Sequence, residues 1–121
     1  MPKNWEVSRL LDFYGMLLTD KQRETVEYYY NDDLSLGEIA ENLHISRQGV
    51  RDSVKRSEAI LFEAEEKLGL MKNADVMKQS LAEIRRHVDM IDEKNMKIYR
   101  SKAVNESIKV ILKELDRLNE M

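Results

Sequence analysis

The stretch LSLGEIAENLHISRQGVRDSVKRS, residues 34–57, decides how this chain folds. Ser35 followed three residues later by Glu38 is a capping box, in which each side chain satisfies a free backbone N–H of a helix start. It opens a short helix over residues 36–43. His44-Ile45-Ser46 reads as a tight turn, and Ser46 is the N-cap of a second helix that begins at Arg47. Ala40 stands where the second helix crosses the first, a position that needs a small side chain. Ile39, Leu43, Ile45 and Val50 supply the apolar corner. The pattern is that of a helix-turn-helix.

The flanks continue in helices. Val7, Leu10, Tyr14 and Leu17 are spaced three, four and three apart, with Leu11 and Leu18 widening the stripe, which predicts one amphipathic helix. Thr19 with Gln22 is a second capping box and starts a helix running to about Tyr30, closed by the polar break Asn31-Asp32-Asp33. After the turn, Val50, Val54, Leu61, Ala64 and Leu68 form one heptad-spaced stripe interrupted by Ser57, so the fourth helix is long and ends at Gly69. Lys72-Asn73-Ala74-Asp75 is expected to be a short joint.

Beyond it Met77, Leu81, Ile84, Val88 and Ile91 step four, three, four, three. Asp92 to Asn95 interrupts the stripe, Ile98 follows, and Val104, Ile108, Ile111, Leu115 and Leu118 repeat the step. No segment alternates with period two. The expected fold is all-α: a helix-turn-helix domain over 1–70 and a C-terminal helical extension over 71–121. The extension's seams are narrow, with charges on the other faces, and a narrow seam buries little within one chain. The two seams form a hairpin, pack on the fourth helix, or pack on a second copy. A homodimer through the C-terminal helices, serving dimerisation or docking, is the expectation.

Composition excludes several classes. The chain has 121 residues, 42% hydrophobic and 36% charged, with four glycines and one proline, which suits long helices around one modest core. With no cysteine there is no disulfide, no thiolate nucleophile and no cysteine metal site, and the cytoplasm is the expected compartment. The start MPKNWEVSRL has no apolar signal core, and no apolar run is long enough to span a bilayer, so no membrane insertion is expected. A net charge of −3 weighs mildly against tight non-specific binding to nucleic acid.

The informative charges are local. The Ser46 cap leaves first-turn N–H groups facing outward, where phosphate can approach. Arg47, Gln48, Arg51 and Lys55 follow on the exposed side, and Arg47, Arg51 and Lys55 are four apart. Arg and Gln at the start of a recognition helix suit bidentate contacts with guanine and adenine edges. With Arg56, these are the candidate nucleic-acid-binding residues. The competing reading is a solvated face whose charges balance Asp52, Glu58 and Glu63-Glu65-Glu66. Three features depart from a strong DNA reader. His44 stands where a turn favours glycine, Gly49 weakens the helix start by roughly 1 kcal/mol relative to alanine, and Ser53 replaces an apolar residue.

Other singular residues have plainer readings. Tyr28-Tyr29-Tyr30 resembles a stacking platform, but the expected role of one or two of them is to close the core beside Trp5 and Phe13. Met71, Met77, Met90 and Met96 suit gap-filling better than an adaptable partner surface. Glu83 and His87 at i, i+4 lack a third ligand and neighbour Arg85-Arg86, so a surface pair is expected and no metal. His44 has no nucleophile or carboxylate arranged with it. No catalytic residues and no cofactor are expected, and the chain is not read as an enzyme.

The run LTDKQRETVEYYYNDDLSLGEIAENLHISRQGVRDSVKR, residues 18–56, resembles region four of bacterial sigma factors. DFYGMLLTDKQRETVEYYYNDDLSLGEIAENL, then SRQGVRDSVKRSEAIL and FEAEEKLGL, are similar to the YlxM family of small bacterial helix-turn-helix proteins encoded beside the signal recognition particle GTPase. The resemblance covers the first two thirds of the chain. It implies a head of the winged-helix-like DNA-binding superfamily, no known catalysis, and a regulatory part in the signal recognition particle pathway. The partners it implies are that particle's GTPase, its RNA, or DNA. The alternative is a sequence-specific DNA-binding transcription regulator.

Overall fold

The computed structural model describes residues 3–121, and among them the secondary structure is helical throughout. Its α-helices are α1 (Glu6–Tyr14), α2 (Asp20–Tyr30), α3 (Leu36–Leu43), α4 (Arg47–Leu68), α5 (Leu70–Lys94) and α6 (Lys102–Asn119). A 3-10 turn, Gly15–Leu17, follows α1, and a π turn, Asn95–Tyr99, follows α5. The all-α expectation holds. Two compact units emerge, Met1–Lys72 and Asn73–Met121.

Local chemistry starts the helices of the first unit where the sequence places them. Both capping boxes form: Thr19 Oγ1 accepts the Gln22 N–H at 3.1 Å while Gln22 Oε1 accepts the Thr19 N–H at 3.0 Å. Ser35 and Glu38 repeat the exchange at 3.1 Å each way. Ser46 Oγ accepts the Gly49 N–H at 2.9 Å. His44 takes the left-handed conformation, φ 56°, and Gly69 does the same at φ 62°.

The core gathers around α4, whose Val50, Val54 and Leu61 are wholly buried against α1, α2 and α3. Ser57, the break in that stripe, is also buried; its hydroxyl donates to the Ser53 carbonyl at 2.7 Å, so burial leaves no unpaired polar group. Tyr29 and Tyr30 close the core edge-to-face, centroids 5.1 Å apart. Trp5 packs against Tyr30 from outside and stays exposed, while Phe13 is partly buried against the core. Lys3 ties the N-terminal segment to α2, donating to the Tyr29 carbonyl at 2.9 Å and to Asp33 at 2.6 Å.

Three expectations are corrected. The first helix does not reach Leu17: the backbone tightens to 3-10 at Gly15, which rotates Leu17 into solvent and brings Leu18 into the buried position. Leu68, the last member of the α4 stripe, is exposed, whereas Leu61 and Ala64 before it are buried. The joint is not Lys72-Asn73-Ala74-Asp75 but Gly69 alone, and α5 begins at Leu70. Its first N–H groups need no N-cap of their own. Tyr14 Oη accepts the Leu70 N–H at 2.9 Å, and the two Glu65 oxygens accept those of Met71 and Lys72 at 2.9 and 3.1 Å.

In the second unit α6 folds back on α5. Asn95 closes the connection: its amide donates to the Ser101 carbonyl at 3.0 Å and its oxygen accepts the Ser101 N–H at 2.9 Å. Arg85 reaches Asp116 at 2.6 Å across the pair. Asp92 does not break the helix, which stays α-helical to Lys94; the break falls in the π turn and at Arg100, φ 49°. Leu81 and Val88 on α5 and Ile108 and Leu115 on α6 are the buried hydrophobic residues of this unit.

Candidate nucleic-acid interface

The helix-turn-helix is built by α3, the His44-Ile45-Ser46 turn and α4. The left-handed His44 lets the Ile45 N–H reach the Ala40 carbonyl at 3.1 Å, which ends α3 and aims the chain into α4. Gly49 is explained by the cap beside it: a side-chain carbon at that position would stand 3.2 Å from Ser46 Oγ. The residue that lowers helix propensity therefore leaves room for the hydroxyl that starts the helix.

Arg47, Gln48, Arg51 and Lys55 lie along one side of the first turns of α4, as the four-residue spacing requires. Arg47 lies back over α3, where a side-chain carbon at Gly37 would come within 3.1 Å of Nε. Gln48 is engaged: its amide donates to Asp52 at 3.0 Å, and its oxygen accepts from Arg51 at 3.3 Å. Among the described residues, Arg47, Arg51, Lys55 and Arg56 make no ion pair.

Arg56 is separated from that face. With Asp52 and Ser53 it lines a cleft of about 370 Å³ whose other wall is Thr19, Lys21 and Gln22 at the start of α2. Ser53 thus faces this cleft instead of the core. Sequence reasoning missed the Gln48–Asp52 hydrogen bond, for which the i, i+4 spacing was the available signal, and Lys21, for which there was none.

The remaining polar groups serve structure. Tyr28 is half-buried with its hydroxyl 3.3 Å from Glu24, so the tyrosine triplet offers no open platform. Tyr30 donates to Glu58 and accepts the Asn4 N–H at 3.3 Å; burial and then that carboxylate push its phenol well above the usual range. Glu83 binds Arg86 at 2.5 Å and His87 at 3.2 Å on the solvent-facing side of α5, and the hydrogen bond from Arg86 holds its carboxyl below the usual range. Of the four methionines, Met71 packs on the core, whereas Met77, Met90 and Met96 are exposed. Among the described residues no three acidic or histidine side chains gather to hold a metal, and no helix is long and apolar enough to cross a membrane.

A family model described as "Putative helix-turn-helix protein, YlxM / p13 like" (UPF0122) matches residues 1–102. A UPF0122 protein of Thermoanaerobacter sp. (strain X514) is 47% identical over 110 residues, 91% of each chain. One from Acetivibrio thermocellus is 43% identical over 121 residues, all of this chain and 97% of the relative. One from Halalkalibacterium halodurans is 40% identical over 118 residues, 98% of each.

Proposed function

Because this chain belongs to the UPF0122 family of YlxM / p13-like helix-turn-helix proteins, we propose that it is a cytoplasmic regulatory protein that binds nucleic acid through the first three turns of α4. The observation that carries this reading is the cationic edge of Arg47, Arg51 and Lys55, none of them in an ion pair among the described residues, along the first turns of the Ser46-capped helix. Cations so placed recruit phosphates and release counterions. Base reading is opposed by the contacts Gln48 already makes. Gln48 would have to give up Asp52 and Arg51 before contacting a base, and the Asp52 carboxylate repels phosphate beside it. The ligand this favours is a structured nucleic acid held through its backbone. The resemblance that places such proteins beside the signal recognition particle GTPase makes that particle's RNA, with the GTPase itself, the first ligands to try.

A second reading, a sequence-specific transcription regulator on DNA, is favoured by the position of Arg47 and Gln48 on the first turn of the recognition helix. One anisotropy series separates the two, titrating the full chain into a panel of duplex DNAs of differing sequence, the particle's RNA and its GTPase at several salt concentrations. Salt-dependent binding to RNA, lost in an Arg47→Ala/Arg51→Ala/Lys55→Ala variant, supports the first. Discrimination among DNA sequences that disappears in Gln48→Ala supports the second. Absence of binding to either nucleic acid at micromolar protein overturns both.

A further inference from the structure

We propose that the second unit, Asn73–Met121, is half of a four-helix bundle, completed by the same hairpin from a second copy of this chain. Each of its helices carries two apolar columns, and the hairpin consumes one from each. Leu81 and Val88 on α5, with Asn95 continuing the column, and Ile108 and Leu115 on α6 are buried. The other columns, Met77, Ile84 and Ile91 on α5 and Val104, Ile111 and Leu118 on α6, stay between 36% and 57% exposed.

The two unused columns share a side. Val88, Ile91, Val104, Ile108 and Ile111 line one open groove of about 280 Å³, floored by the consumed columns and walled by the unused ones. In an antiparallel helix pair this is the disposition of a and d positions that points towards the centre of a four-helix bundle. The six exposed residues present on the order of 500 Å² of apolar surface, near the top of what a monomeric protein leaves in one patch. A standard interface buries roughly 800 Å² on each partner, so the polar residues flanking these columns have to contribute the remainder.

A second copy fits this face on its own terms. The α5 and α6 columns each extend over two heptads, so either helix of a copy matches either helix of its partner in length and spacing. A two-fold interface needs such a self-complementary patch. The residues beside the columns are Ser80, His87 and Lys94 on α5 and Ser107 and Glu114 on α6; with both signs present, no block of like charge opposes a copy. No residue of α4 takes part in this interface, so association of two copies is independent of nucleic-acid binding.

Sedimentation equilibrium of the full chain at tens of micromolar tests it. The expected mass is twice the 14.3 kDa of one chain, with Ile84→Asp/Ile111→Asp shifting dissociation at least tenfold towards monomer while helicity by circular dichroism is retained. Since the chain has no cysteine, Ile111→Cys and Lys113→Cys each introduce a single thiol, one in the groove and one on the opposite side of α6. A short bis-maleimide should join copies through the first and not the second. A monomeric mass for the unsubstituted chain, a dimer indifferent to the double substitution, or equal cross-linking at both thiols would overturn the proposal.

Discussion

The Tyr14 hydroxyl donates to Glu65 Oε1 at 2.7 Å and accepts the Leu70 N–H at 2.9 Å, joining α1, the last turns of α4 and the first turn of α5 at one buried oxygen. Glu65 adds the Met71 and Lys72 N–H groups to the same cluster. Together they replace the capping side chain that α5 lacks, which is why a single glycine suffices between two long helices.

Tyr14→Phe should therefore cost about 1–3 kcal/mol, since it removes a buried hydroxyl that serves a donor and an acceptor at once. Glu65→Ala should cost at least as much, because three hydrogen bonds go. In the double variant the losses should fall short of additive, because the two residues share one network. Urea denaturation of the four proteins measures this. Losses under about 0.5 kcal/mol in both single variants would show that water caps α5 equally well.

Alkaline pH should destabilise the first unit. Burial and the Glu58 hydrogen bond raise the Tyr30 phenol, and burial and Glu65 raise that of Tyr14. Folded values above the unfolded value of about 10 mean that the folded chain holds these protons longer. Stability is thus undiminished below pH 10 and falls as pH rises beyond it towards the folded values. Urea midpoints recorded from pH 8 to 11.5 should decline above 10, and Tyr30→Phe should start lower and decline less steeply. A slope unchanged by that substitution would exclude Tyr30 as a source.

His44→Gly should raise stability by up to about 1 kcal/mol. A non-glycine residue at φ 56° is strained, and glycine relieves that strain while giving back part of the gain through a freer unfolded chain. Thermal unfolding reads the result, and a lower melting temperature would mean that the His44 side chain makes a contribution the backbone conformation conceals.

On α4 the charges predict a pattern across variants. Arg51→Ala and Lys55→Ala should each reduce the slope of log affinity against log salt by about one. Asp52→Ala should strengthen binding by roughly two- to fivefold, as expected for removing one exposed like charge, and should also release the Gln48 amide. Weaker binding in the Asp52 variant would show instead that the Gln48–Asp52 pair orients the interface.

Much of this architecture is written in short sequence signals. Thr19 with Gln22, Ser35 with Glu38, and Ser46 start α2, α3 and α4 at the positions their spacing indicates, and His44 and Gly69 end helices as the punctuation requires. The cationic edge of α4 was equally legible, because residues four apart on a helix must share a side. Each of these depends on atoms within about one helical turn.

The tertiary structure alone decided the rest. Leu17 and Leu68 have the right spacing and are exposed, since a stripe is buried only where another helix covers it. Glu65, one of three glutamates in an apparently solvated cluster, becomes the cap of α5 through a tyrosine 51 positions away. The seam of α5 and α6 shows two equivalent apolar columns in sequence, and packing breaks the equivalence by covering Leu81 and Val88 and leaving Ile84 and Ile91 open. Hydrogen bonding and helix periodicity act along the chain and can be read from it. Burial is a property of surfaces brought together from distant parts of the chain, and no local pattern contains it.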